Sequence, residues 1–260
     1  MSRSSSTSRT ARSAALVLSL LAAGACSQRA HATSACGNLA YQVSDPLEPA
    51  NRAVFTFNRT VDDYLLAPVA RGYDTLPGFA RQGVHNFANN FGEPKVFVND
   101  LLQGNGKRAM TSLTRFIFNT TLGAAGVVDV AGKMGLSQHR SDFGQTFGVW
   151  GIANGPTVEL PLLGTHNLRD ATGSVLSLAL DPFGDNSDTV DTLSTVATAG
   201  YVVDSRAAAL PLTAWLQTWP DYYLALRDYT AQQRNNLVAE GKAGKPGTWQ
   251  ANCSQVTGHE

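Results

Sequence analysis

Glycine and proline cut this chain into short lengths, and that punctuation limits its fold more than any other feature. Beyond Ala30 no run reaches the roughly 18 uninterrupted apolar residues that a membrane-spanning helix requires. The pieces between the breakers carry helical periodicity instead. They run from Pro49 to about Leu66, Pro77 to Phe91, Glu93 to Leu102, Lys107 to about Thr121, Val127 to Met134 and Ser141 to Trp150. After a β-like run at Thr157 to Leu160 come Leu168 to Leu180, Thr189 to Leu210 and Asp221 to Ala239. Asp181 to Asp188 reads as a loop rich in turn formers. The expected fold is mainly α, with one or two short β segments.

Several of these helices are apolar on more than one side. Ala80, Val84, Phe87 and Phe91 form a regular stripe, but Phe116, Ile117 and Phe118 are consecutive and cannot all enter one small core. Such helices either pack on both faces or lie in a lipid interface. Composition bears on the choice. Charged residues make up 15% of the chain, against about a quarter in a typical globular domain. Apolar residues are 43%, enough for a core, and the formal net charge is zero, which argues against nucleic acid as partner.

The folded part opens with DPLEPANRAVFTFN, Asp45 to Asn58. Asp45 and Glu48 have the spacing of a capping box. Pro46 and Pro49 fit only at or before a first helical turn, since proline has no N–H to donate. Val54, Phe57, Val61 and Leu65 mark one apolar stripe; Phe55 and Tyr64 lie off it. Asn51, Arg52 and Asn58 put polar groups on this helix, either as satisfied core groups or as the lining of a polar path.

The first 25 residues read as a secretory signal: Arg3, Arg9 and Arg12, then an apolar stretch from Ala14 to Ala23 too short to span a bilayer. Removing them leaves 17 Lys+Arg (20 less three) against 20 Asp+Glu, a net charge of −3. Ala23-Gly24-Ala25-Cys26 is similar to a lipobox, although leucine usually stands where Ala23 does, and Ala30-His31-Ala32 offers a competing cleavage site. Lipidation of Cys26 and loss of Cys26 are thus the two outcomes. Residues 26–44 read as a polar tether, 45–240 as the helical domain and 241–260 as a tail. Cys36 and Cys253 are left in an exported chain, where disulfides persist. Pairing them would close nearly the whole chain, worth about 4–5 kcal/mol on chain entropy; two unpaired thiols are the alternative.

No catalytic constellation stands out. His31, His85, His139, His166 and His259 lack the spacing of a zinc site, so no metal or cofactor is expected. Gly173-Ser174-Val175 lacks the second glycine of a nucleophile elbow. Gly104-Asn105-Gly106-Lys107 lacks the rest of a phosphate loop. Asp62 and Asp63, being adjacent, point apart on a helix. No residue is assigned as catalytic, and no energy source for moving a ligand is visible.

Several blocks in order resemble the MlaA/VacJ lipoprotein family. They are DPLEPANRAVFTFN itself, NFANNFGEPKVFVNDLLQG (Asn86 to Gly104), RFIFNTTLGAAGVVDVA (Arg115 to Ala131) and DFGQTFGVWGIANGPTVELPLLGTHNLRD (Asp142 to Asp170). The resemblance is strong from Asp45 to Phe183 and weaker to about Gly241. It implies a ring-like assembly of short amphipathic helices, lipid-anchored and embedded in the inner leaflet of the outer membrane, facing the periplasm. It implies a passive phospholipid channel that clears mislocalised phospholipid from the outer leaflet. The implied partners are phospholipid, a trimeric porin, a periplasmic lipid-binding carrier and, indirectly, an inner-membrane ABC transporter. Asn51, Arg52, Asn58, Gly123, Gly126 and Gly148 are the candidates for the pore or head-group path, with Gly144, Gly151 and Gly155 as further close-approach positions. Asp142, Gln145, Arg169 and Asp170 match family positions and are expected to hydrogen-bond structurally. A lipoprotein that only braces a porin and an envelope lipid hydrolase are the competing readings.

Overall fold

The computed structural model describes residues 43–180 and 188–245. The expected signal peptide, Cys26, Cys36, Cys253, residues 181–187 of the expected loop and the tail beyond residue 245 lie outside those residues. The fold is mainly α, with one two-stranded sheet among the described residues.

α1 (Glu48–Val61) carries proline in its first turn, as expected. The capping box does not form: the N-cap is Leu47, with no side-chain cap bond. The Asp45 carboxylate, almost wholly buried, instead accepts from Asn51 Nδ2 (2.7 Å) and the Tyr223 hydroxyl and pairs with Arg227. Those partners neutralise and satisfy a buried charge, which a cap alone would not. Glu48 turns to Arg52, 2.8 Å away.

The first helix does not stop at Leu66. A π-helical segment, Asp62–Leu66, leads into α2 (Ala67–Asp74). The Ala67 N–H reaches back five residues to Asp62 O. That wider turn carries the chain past Pro68, which has no N–H of its own. α3 (Gly78–Leu102) likewise runs through Pro94, where the sequence suggests two helices, and α8 (Asp188–Leu216) runs through Pro211. These two helices pack against each other, and α3 also packs against α4 (Gly106–Thr121). That packing outweighs the one backbone bond each proline removes.

α5 (Val130–Lys133) is a single turn, capped by the Asp129 side chain. α6 (Phe143–Val149) is capped by Asp142, whose Oδ1 accepts from Gln145 N at 2.8 Å. β1 (Thr157–Leu160) and β2 (Gly164–Asn167) form an antiparallel hairpin with Thr157 opposite Asn167. α7 (Leu168–Ala179) follows without a break, its N-cap Asn167 accepting from Asp170 N. α9 (Tyr222–Ala243) is capped by Asp221 and ends on Gly244, whose φ of 64° is left-handed.

The elements contact one another in a closed circuit. α1 lies on β1, β2 on α7, α7 on α6, α6 on α3, α3 on α8, α8 on α2, and α2 returns to α1 through the π segment. α9 packs on α6, β2 and α8.

Candidate functional site

Among the described residues many buried side chains are polar and many large apolar ones are exposed, unlike a protein folded in water. On α4, Arg108, Ser112, Arg115 and Asn119 follow the i, i+4, i+7, i+11 spacing of one helical face, and all four are buried. Met110 and Ile117, on the opposite face, are exposed. The same inversion holds across the molecule. Among the described residues the largest fully buried side chains are Gln145, Glu93, Asn99, Asn119, Thr146 and Thr157, and seven of the twelve buried apolar residues are alanine. Tyr64 is 84% exposed, Phe79 83%, Leu178 72% and Leu162 67%. Apolar area in such quantity is unfavourable against water and costs nothing against acyl chains. No helix among the described residues is long and apolar enough to cross a membrane.

The buried charges are closely matched. Arg115 gives Nε to Glu93 Oε1 (2.7 Å) and Nη1 to Leu136 O (2.6 Å), and Nη2 lies 3.2 Å from Asp129 Oδ1. Burial still pushes the Glu93 carboxyl above its ordinary value, opposed by Arg115. Asp100 meets His139 Nε2 at 2.7 Å, and Ser112 Oγ approaches the same nitrogen at 3.4 Å. Because serine and aspartate share one ring nitrogen, the imidazole cannot relay a proton between them as a hydrolytic triad requires. Arg206 clamps Asp62 with two bonds, of 2.6 and 2.7 Å, tying α8 to the π segment.

α6, α7 and α9 meet where their backbones come close. A Cβ on Gly173 would strike the backbone of Gly144, and one on Gly148 would lie 2.6 Å from Val238. Into this junction Arg234 sends three bonds: Nη1 and Nη2 to the two oxygens of Asp142 (2.7 and 2.8 Å) and Nε to Asp170 Oδ2 (2.9 Å). Arg169 Nε completes the row on Asp170 Oδ1 at 2.8 Å. Burial alone would raise the Asp142 carboxyl, but Arg234 overcomes this and holds it below its ordinary value. One cleft, about 370 Å³, opens beside Arg169 between Gly148, Asn154, Val238 and Lys242. Another, about 340 Å³, opens beside Asp142, Asp170 and Arg234, with Leu163 and Leu178 at its edge.

The residues singled out from the sequence fall in three places. Asn51 and Asn58, two helical turns apart on α1, both reach the hairpin. Asn51 donates to Thr157 O and accepts from Glu159 N (3.1 and 3.0 Å); Asn58 donates to Leu160 O and accepts from Leu162 N (2.9 and 2.7 Å). Arg52 pairs with Glu48 and, at 2.6 Å, with Asp221. Gly123 and Gly126 sit in the loop after α4, where Gly126 has a φ of 94° and faces Asn90. Gly148 lines the cleft beside Arg169. Phe55 is buried between Tyr222 and Tyr223, at centroid distances of 5.4 and 5.3 Å, whereas Phe57, Tyr64 and Leu65 face outward. The sequence reading assigned no role to Glu93, Arg115, Asp100, Arg108 or Arg234. A polar stripe at i, i+4, i+7, i+11 was the signal available for α4.

Sequence and fold comparisons agree on where this architecture belongs. Residues 43–237 match the model of a family described as MlaA lipoprotein. The chain belongs to the MlaA lipoprotein family. An Escherichia coli (strain K12) protein named intermembrane phospholipid transport system lipoprotein MlaA is 37% identical over 215 residues, covering 78% of this chain and 81% of its own. Its namesake in Haemophilus influenzae is 32% identical over 205 residues, covering 76% and 81%. An uncharacterized Rickettsia felis protein is 37% identical over 200 residues, covering 76% and 79%. A solved chain, from work on the structural basis for maintenance of bacterial outer membrane lipid asymmetry, superposes with a TM-score of 0.64 at 33% identity. The match covers 75% of this MlaA-family chain and 99% of the solved one.

Proposed function

We propose that this protein is a passive phospholipid channel of the outer membrane. It sits in the inner leaflet, held by its apolar outer surface and by lipid on Cys26. It takes phospholipid misplaced in the outer leaflet and hands it to a periplasmic lipid-binding carrier. A trimeric porin supports it laterally, and an inner-membrane ABC transporter supplies the energy, since this chain carries no nucleotide-binding motif. Asn51, Arg52, Asn58, Gly123, Gly126 and Gly148 belong to the pore or head-group path or frame it.

The observation that carries this reading is the inverted burial, with Tyr64, Phe79, Leu162 and Leu178 outside and Glu93, Arg115, Asp100 and Gln145 inside. Apolar exteriors favour acyl chains, and a polar interior favours a head group over a tail. The relatives' names and the solved fold support the same assignment. Bracing a porin explains the exterior but gives no reason for a polar, cleft-bearing interior.

The test is transfer from vesicles. The full chain is reconstituted into vesicles bearing a labelled phospholipid, and a purified soluble lipid carrier is added without ATP. Label should move to the carrier at a rate set by the amount of protein inserted. Insertion without any transfer sinks the channel reading and leaves the bracing one.

A further inference from the structure

The cleft beside Asp142 is lined by hydroxyl, carboxylate and guanidinium groups with leucines among them. Three of its hydroxyls, Ser174 and Ser177 on α7 and Thr230 on α9, make no hydrogen bond to any described residue. Thr172 on α7, by contrast, back-bonds to Leu168 O at 2.8 Å. His166 uses Nδ1 on Gly164 O and keeps Nε2 free of any described partner. Each of the three hydroxyls has a hydrogen bond to donate to a ligand in this partly exposed cleft, and a neutral His166 whose Nδ1 donates to Gly164 O offers Nε2 as an acceptor.

The charge of the cleft is balanced. Arg234 and Arg169 are matched by Asp142 and Asp170 through the bonds described above, so no cation in the row is left for an anion. One acceptor is left over. Asp142 Oδ1 already accepts from Gln145 N and Arg234 Nη2, but Oδ2 accepts only from Arg234 Nη1, and the side chain is 44% exposed. The edge of the cleft is apolar: Leu163 and Leu178 are both exposed there.

We propose that this cleft is a subsite for a zwitterionic phosphoethanolamine-type head group. The three hydroxyls donate to the phosphodiester oxygens, Asp142 Oδ2 accepts from the primary ammonium, and Leu163 and Leu178 shelter the start of the acyl chains. An anionic head group of similar size gains the same hydroxyls but brings no ammonium to Asp142 Oδ2 and finds no unpaired cation for a further negative charge. The inference rests on the channel reading and adds to it a head-group preference and the residues that impose it.

The experiment measures binding directly, apart from transport. The full chain, purified in detergent, is titrated by calorimetry with dihexanoyl-phosphatidylethanolamine, dihexanoyl-phosphatidylglycerol and tail-free glycerophosphoethanolamine. The ethanolamine lipid should bind about tenfold more tightly than the glycerol lipid, the scale of one or two net hydrogen bonds to a charged group. The tail-free compound should bind more weakly than the lipid, which separates a lipid site from a site for a free head group. Ser174→Ala with Ser177→Ala and Thr230→Val should weaken the ethanolamine lipid about tenfold while leaving the thermal transition in place, and Thr230→Ser should restore part of it. Asp142→Asn should reduce the preference between the two lipids. Equal affinity for both lipids, or no response to the hydroxyl substitutions, overturns the subsite. The vesicle assay fails or succeeds independently of either result.

Discussion

Arg115 shows what a single residue does in an interior of this kind. Its guanidinium meets Glu93, Leu136 O and Asp129 from inside α4. Truncation leaves Glu93 buried with an unopposed charge. Arg115→Ala is therefore expected to cost about 3–5 kcal/mol, read by denaturant unfolding in detergent. Replacing Glu93 and Arg115 together by methionine should cost less than Arg115→Ala alone. Two carboxylates are expected to respond to acid in opposite directions. Arg234 depresses Asp142, so its contribution is complete above 3.8, the ordinary value, and is lost as pH falls through the lower folded value. The stability gap between wild type and Asp142→Asn should be full from neutrality down to about pH 3.8 and should close only as pH falls below it. Burial raises Glu159, though Thr165 and Asn58 oppose it, so its contribution is largest below its ordinary 4.5 and declines as pH rises through the folded value. The gap for Glu159→Gln should therefore shrink on going from pH 4 to pH 7. Of these residues the sequence singled out Asp142, as a match to a family position expected to hydrogen-bond; its cap on Gln145 N came from the structure. Arg234 was not singled out, because its partners stand 64 and 92 positions away.

At the scale of elements, glycines decide how closely helices approach. Gly173 stands against the Gly144 backbone, so Gly173→Ala must push α6 off α7 and is expected to lower the unfolding midpoint by several degrees. Gly92, within α3, has nothing within 4 Å of an added Cβ. Gly92→Ala should stabilise by about 0.5–1 kcal/mol through helix propensity alone. Differential scanning calorimetry of the two variants separates the cases. Most helices were legible from periodicity and breakers: α4, α6, α7 and α9 start and end within a few residues of where the pattern puts them. Pro94 and Pro211 misled because proline's local cost is real but smaller than the packing of α3 against α8. The Asp45 cap misled for a related reason: a buried carboxylate takes the partners that best satisfy its charge, and Tyr223 and Arg227 come from the far end of the chain.

For the whole molecule, the outward apolar residues are the property on which everything else depends. Replacing Tyr64, Phe79 and Leu178 by glutamine should weaken flotation with vesicles, each side chain contributing up to about 1.5–3 kcal/mol of burial, while the polar interior and helix content stay intact. A protein stabilised by conventional core packing would respond to those substitutions hardly at all. Taken alone, the sequence determined the mainly α class, the lack of a spanning apolar run beyond Ala30, the shortage of charge and the family, because these follow from local pattern and from blocks read in order. It left open whether the excess apolar surface turned in or out. Periodicity reports that a helix has two faces and does not say which one meets the neighbour. Only the tertiary structure decided that Phe55 goes inward and Phe57, Tyr64 and Leu65 go outward, and that the interior is occupied by Glu93, Arg115 and Gln145. That choice depends on matching charges between elements far apart in the chain, and those matches form only when the circuit of helices closes.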